Sequence, residues 1–238
     1  MQLYSYTFLI ILSLFSNLAN GQTNKINHSS WDTLLKTHVD TNGNVDYKGF
    51  LKDTTTLSNY ISELGSNPIN TTANKNEKLA YYINLYNAAT VKLILNNYPT
   101  KSIKNISKPW DKQWIKVGDK TLSLGDIEHK ILRKMKEPRI HFAINCASFS
   151  CPMLKKEAFI ASKMELQLEQ ATKDFINDPN RNIISSSKIE ISQIFKWFKK
   201  DFSTKGTIID FIKPYTTINL SKKTSIKYLN YNWSLNEK

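Results

Sequence analysis

The chain has 238 residues, 40% hydrophobic and 11% aromatic, which is enough to bury a core and unlike a disordered composition. Its net charge of +13 would suit a polyanion, yet only three of its 33 basic residues are Arg (Arg133, Arg139 and Arg181) and the Lys form no long run. Bidentate reading of phosphates and bases favours Arg, so the composition argues against specific nucleic-acid binding.

The first element is YTFLIILSLFSNL at 6–18, an apolar stretch too short to span a bilayer comfortably. Ala19, Asn20, Gly21 and Gln22 follow, small and polar as a cleavage site requires, although no Lys or Arg precedes the stretch. The pattern predicts a signal peptide over 1–21, a polar lead-in over 22–28 and a single domain over 29–238, exported to the periplasm or secreted. No later apolar run is long enough to cross a membrane, so no stable span is expected after cleavage.

Ser30 is expected to cap a helix over 31–39. The turn at 40–44 has the Asp-x-Asn-x-Asn spacing of a calcium loop but lacks its Gly and its final Glu, so it reads as a plain turn. A helix over 54–64 should stop at Gly65. The strongest helix runs from about 75 to 97, with Asn74 or Asn76 as its cap and Tyr98-Pro99 as its end. A hairpin around Gly118-Asp119 occupies 114–124, and Ser123 caps a helix to Met135. The apolar run 140–147 reads as a buried strand. A long amphipathic helix over 156–177, a hairpin over 181–192, short helices over 195–202 and 207–212 and a strand over 226–229 complete the chain. The sum is an α+β fold, helix-rich, with a long buried central helix packed on a small, mostly antiparallel sheet.

Asn84 and Asn87 fall in the stripe Ala80, Asn84, Asn87, Val91 and Ile94 of the central helix. Buried amides need partners, so they either line a site or tie the helix to a neighbouring loop. Glu128 lies among Leu124, Ile127, Ile131 and Met135, with His129 at the edge. A carboxyl there is a candidate acid or base, or the partner of Arg133 or Arg139. On a regular strand His141 and Asn145 share one face and Cys146 the other, which predicts an inert apolar thiol at Cys146 and leaves Cys151, in the following loop, as the more reactive candidate. The two cysteines can pair, bind a metal or stay free. Their spacing with His129 and His141 matches no zinc motif, so no metal site is expected. With seven Gly and no phosphate loop, no cofactor is expected either.

The blocks KLAYYINLYNAATVKLIL, TLSLGDIEHKILR, RIHFAINCASFSCPML, SQIFKWFKKDF and YLNYNWSLN, in that order, resemble those of the family called domain of unknown function 547, from about Trp31 to Asn236. The resemblance falls on Asn84, Asn87, Glu128, His129, His141, Cys146, Ser150, Cys151 and Pro152, and it implies no particular activity. A buried helix followed by a strand opening with His also resembles papain- and transglutaminase-type thiol hydrolases, except that Asn84 and Asn87 stand where the helix would carry a Cys. Two functions suit these residues. One is a hydrolase or acyl-transfer enzyme with His141 as base, Glu128 or Asn145 orienting it, and Cys151 or Cys146 as nucleophile. The other is a non-enzymatic exported protein that binds a small molecule or peptide through Asn84, Asn87 and His141, with His129, Asn145 and Ser150 as further contacts.

Overall fold

The computed structural model describes residues 26–221 and 224–238, so the expected signal peptide and residues 22–25 of the lead-in lie outside the described residues. Helix α1 (Ser29–His38) starts before its expected first turn, and its cap is His28 rather than Ser30. The His28 ring is hydrogen-bonded to Tyr60 Oη at 2.7 Å, which anchors that end. The turn at 40–44 is a plain one: the Asp40 carboxylate accepts the N–H groups of Asn42 and Asn44. Helix α2 (Tyr47–Phe50) leads into α3 (Thr54–Ser66), which runs through Gly65 instead of stopping there. The bare Cα of Gly65 lets a strand backbone approach; a Cβ would lie 2.6 Å from the Lys116 carbonyl oxygen.

Helix α4 (Lys75–Leu95) opens with a capping box in which Asn74 and Glu77 satisfy each other's backbone N–H groups. It is buried on all sides, as its apolar and aromatic faces require. Helical segments cover most of it, and the hairpin β1 (Ile115–Val117) and β2 (Lys120–Leu122) shares its core through Ile115 and Val117. The helix expected up to Met135 is capped reciprocally by Ser123 and Asp126. It is wound wide, as a π-helix, over Asp126–Leu132 and tight over Arg133–Met135. Such π-helical turns are rare and recur at functional sites.

Helix α5 (Met164–Ile176) is shorter than the helix expected over 156–177. Side chains claim the backbone of 158–160: Asn84 accepts from Phe159 N and donates to its carbonyl, and Gln167 does the same for Ile160 N and Ala158 O. A backbone so engaged cannot wind into a helix. The chain continues through β3 (Ile183–Ile184), β4 (Ile189–Ile191), α6 (Gln193–Trp197), α7 (Lys199–Phe202), α8 (Ile208–Ile212) and β5 (Ile226–Tyr228). Strand β4 pairs antiparallel with β3 and parallel with β5, which gives the order β3-β4-β5. The expected α+β architecture is present, with one parallel pair at the end of the chain.

Two apolar clusters form around these elements. One gathers α1–α4 and the hairpin; the other gathers Phe175, Phe195, Phe202 and Ile212 with β4. Residues 140–144 straddle them, since Phe142 belongs to the second cluster while Ile140, Ala143 and Ile144 belong to the first. No helix among the described residues is long and apolar enough to cross a membrane.

Candidate functional site

The segment expected as a buried strand is not one. Pro138 opens a 3-10 turn over Pro138–Phe142, and the chain beyond it is held by side chains. Asn87 Oδ1 accepts the Asn145 N–H at 2.8 Å, and its amide donates to the Ala143 carbonyl at 2.9 Å. Asn145 in turn accepts from Ala147 N at 2.8 Å and donates to the Pro152 carbonyl at 2.7 Å. These are the backbone groups a ladder would have used. Ala147 sits at φ +56°, a left-handed conformation that costs a residue with a Cβ about 1–2 kcal/mol. Backbone strain of this kind gathers at functional sites, and here it directly follows Cys146.

The consequence is a site that regular strand alternation argued against. His141 and Cys146 line one cavity of about 220 Å³, together with Glu128, His129 and Cys151. Its remaining surface is mainly apolar, and Tyr86, Trp110, Trp197, Phe198, Tyr231 and Trp233 supply the aromatic walls. The last two arrive on the C-terminal segment, which is stitched to the cysteine loop: Phe149 N donates to Ser234 O, Ser150 N to Asn232 O, and Asn232 N to Ser150 Oγ. Further along, Tyr47 Oη donates to Asn236 Oδ1 at 2.8 Å and fixes the tail to the first core.

The two thiols have the reverse of their expected burial. Cys146 is half-buried, with its sulfur 3.4 Å from Tyr231 Oη and 3.5 Å from Ser148 Oγ. The Cys151 thiol, with help from these hydroxyls, stabilises the Cys146 thiolate and brings its pKa down to about 7. Cys151 is buried, its sulfur accepts the Cys146 N–H at 2.9 Å, and burial together with its neighbour's charge pushes its own thiol well up.

Glu128 is buried in the π-helical turn. Its nearest polar neighbours are Tyr86 Oη at 3.5 Å and His129 Nδ1 at 3.9 Å. Burial, reinforced by the charge of Cys146, raises its carboxyl to about 7. Arg133 is not its salt-bridge partner: it holds Asp201 bidentately, Nε to Oδ2 at 2.6 Å and Nη2 to Oδ1 at 3.0 Å. Arg139 is engaged elsewhere, with Glu137 and Glu165. His141 also belongs to Asp201, with Nε2 at 2.8 Å from Oδ2, and its ring stacks on Phe198 at 3.9 Å. Burial lowers the His141 pKa against the pull of Asp201; Nε2–H donates to that carboxylate, while Nδ1 lies buried without a hydrogen-bond partner. Burial opposes ionisation of Asp201, yet the bonds from His141 and Arg133 outweigh it and hold the carboxyl far below its ordinary range. His129 is half-exposed at the cavity, its pKa lowered by partial burial and by the Arg133 charge.

The structure thus brings Glu128, His129, His141, Cys146 and Cys151 together. Asn84, Asn87, Asn145 and Ser150 stand behind this group, with their hydrogen bonds directed at backbone. Sequence reasoning did not select Asp201 or the aromatic walls. Their signal was present as the aromatic-rich stretches at 195–202 and 228–233. Among the described residues no group of three or more His, Cys, Asp and Glu side chains is arranged to hold a metal ion.

Residues 70–176 match the model of a family described as protein of unknown function, DUF547. That stretch includes α4, Glu128, His141 and both cysteines, whereas Trp197, Asp201, Tyr231 and Trp233 follow it. No curated protein and no solved structure matches the chain.

Proposed function

We propose that this chain, which belongs to the DUF547 family through residues 70–176, is a thiol-dependent hydrolase or acyl-transfer enzyme that acts outside the cytoplasm. One observation carries the proposal: a half-buried thiol, within reach of two hydroxyls, shares an aromatic cavity with a buried carboxyl that has no close ion-pair partner, an arrangement that lowers the thiol's pKa and raises the carboxyl's. A thiol poised near ambient pH is about half thiolate and still strongly nucleophilic, and an acid with a matched pKa is suited to proton transfer. His141 and Asp201 buttress the site, because the one His141 nitrogen that meets a partner is committed to Asp201.

In the proposed reaction the Cys146 thiolate attacks an acyl carbon and forms a carbon–sulfur bond. The leaving amine or alcohol departs with the proton of Glu128. Water, or another acceptor, then attacks the thioester and gives its proton to the Glu128 carboxylate. The acid or transferred acyl product leaves, and the thiolate is restored. The aromatic walls receive the apolar part of the substrate.

The test is acylation by p-nitrophenyl acetate. The expected result is a burst of p-nitrophenol matched by an acetyl adduct on the Cys146 peptide, absent in Cys146→Ser. In Glu128→Gln turnover should slow by about 10²–10⁴-fold, the usual worth of general acid–base catalysis. An adduct on another residue, or a burst that survives Cys146→Ser, would overturn the thiol mechanism. The same walls would serve a non-enzymatic binding protein, and a Cys146 no more reactive than an ordinary thiol would favour that role. Export rests on the pattern at 1–21 and is tested by N-terminal sequencing of protein recovered from outside the host cytoplasm.

A further inference from the structure

We infer that the cavity binds an organic cation, an alkylammonium group seated against Glu128 and the aromatic wall. The first ground is charge. The chain carries +13 overall, yet the nearby cations are already engaged. Arg133 is held bidentately by Asp201, and His141 donates to the same carboxylate. Lys130, two residues from Glu128, pairs instead with Asp126 at 2.7 Å and is largely exposed. Ion-paired carboxylates normally accept hydrogen bonds at about 2.5–2.9 Å. Glu128 has only the Tyr86 hydroxyl at 3.5 Å and the His129 ring at 3.9 Å. Arg133 acts on Glu128 only through space, with its guanidinium hydrogen-bonded to Asp201, and a cationic ligand would supply the direct counter-charge that a buried carboxylate needs.

The second ground is the wall. Trp197 lies 4.8 Å from Tyr231 at 50°, Tyr231 lies 4.5 Å from Trp233 at 49°, and Trp110 meets Trp233 at 68°. Trp197 and Trp233 are closer to parallel, 26° apart at 5.7 Å, while the other pairs are inclined, and aromatic faces attract ammonium groups. One of these rings and the neighbouring Phe198 already hold protein cations: Lys104 Nζ is 5.4 Å from the Trp233 centroid and Arg133 Cζ is 5.2 Å from that of Phe198. The free space, about 220 Å³, suits a small alkylammonium group. Within the acyl-transfer proposal, on which this last step alone rests, the cation is the amine released when an amide is cleaved. It leaves as a neutral amine with the Glu128 proton, takes a second proton from solvent and sits as the ammonium beside the carboxylate so formed.

The groups facing Glu128 are Tyr86 of α4, His129 and Arg133 of its own helix, Cys146 of the loop and Asp201 of α7. Butylammonium and n-butanol carry no acyl group, so their binding to the wild-type protein is read independently of acyl transfer. The probe is n-butylammonium chloride, which at lysine-like basicity stays protonated from pH 6 to 8. The neutral counterpart is n-butanol, and both are titrated by tryptophan fluorescence and calorimetry at constant ionic strength. The expected result is butylammonium binding at least about tenfold tighter than n-butanol at pH 8, and about tenfold weaker at pH 6 as Glu128 takes up its proton. Glu128→Gln should abolish that preference and flatten the pH dependence. Trp197→Ala, at a half-exposed position, should weaken butylammonium several-fold with the fold intact. Equal binding of the two probes, no binding of either, or an unchanged affinity in Glu128→Gln would overturn the inference. If butylammonium binds but wild-type protein forms no acetyl adduct, the cation site stands and the acyl-transfer mechanism falls.

Discussion

Glu128→Gln should make the protein more stable and less active. In the folded chain burial raises the Glu128 carboxyl from its ordinary 4.5 to about 7. As pH climbs from 4.5 to 7 the unfolded chain releases this proton while the folded chain keeps it. Stability therefore falls across that window, and the full cost is present above pH 7. A gap of about two and a half pH units at roughly 1.36 kcal/mol each sets a ceiling of about 3 kcal/mol. Gln keeps the size and hydrogen-bonding capacity of the protonated acid but cannot ionise. The variant should match wild type near pH 4 and exceed it by up to about 3 kcal/mol at pH 8. That corresponds to roughly 6–12 °C in Tm for a chain of this length. Paired thermal and urea melts at pH 4, 6 and 8 provide the assay. No gap at pH 8, or a gap equally large at pH 4, would refute the assignment of Glu128 as a buried, uncompensated acid. A stability gain coupled to lost turnover is the trade expected of a group kept for function.

Other perturbations test the scaffold around it. Asn87→Ala leaves the buried Asn145 N–H and Ala143 carbonyl unpaired and should cost about 2–4 kcal/mol by urea denaturation. It should also shift the pH midpoint of Cys146 alkylation upward, whereas Asn84→Ala should cost a similar amount and leave that midpoint in place, because Asn84 clamps Phe159 instead. Asp201 has its pKa held low, so it stabilises the fold above the ordinary carboxyl range and that contribution is lost on acidification. Asp201→Asn should flatten the acid limb of the stability curve, read from melts between pH 2 and 5. Cys151→Ser removes the thiol that most stabilises the Cys146 thiolate, and the Cys146 alkylation midpoint should rise towards that of a free thiol.

Local signals read well wherever the chain's own spacing decided the outcome. A cap at Asn74, the all-round apolar α4, the hairpin at Gly118-Asp119 and the burial of Glu128 were all legible, whereas the reciprocal bond from Glu77 was not. The failures share one cause. Residues 140–147 and 156–160 look like a strand and a helix because their apolar patterns fit, but Asn87 and Asn84, more than 50 residues away in sequence, take their backbone hydrogen bonds. A periodicity argument cannot anticipate a tertiary clamp. Once the strand was lost, the face assignment that separated His141 from Cys146 went with it, and so did the expectation of a Cys146 buried among apolar side chains. Gly65 reads as a helix stop, and only the approach of Lys116 shows why a glycine sits inside α3. Asp201 and the tryptophan wall were hidden for a simpler reason. They join the site from residues 197–233, and nothing local ties them to the cysteine loop.

The most direct test is iodoacetamide labelling of the folded protein from pH 5 to 10, with each cysteine followed at peptide level by mass spectrometry. Cys146 should label alone, with a rate that rises through a midpoint near 7, while Cys151 stays silent until the chain is denatured. Faster labelling of Cys151, silence of both thiols, or a Cys146 midpoint at the ordinary thiol value of about 8.5 would contradict an activated nucleophile at Cys146.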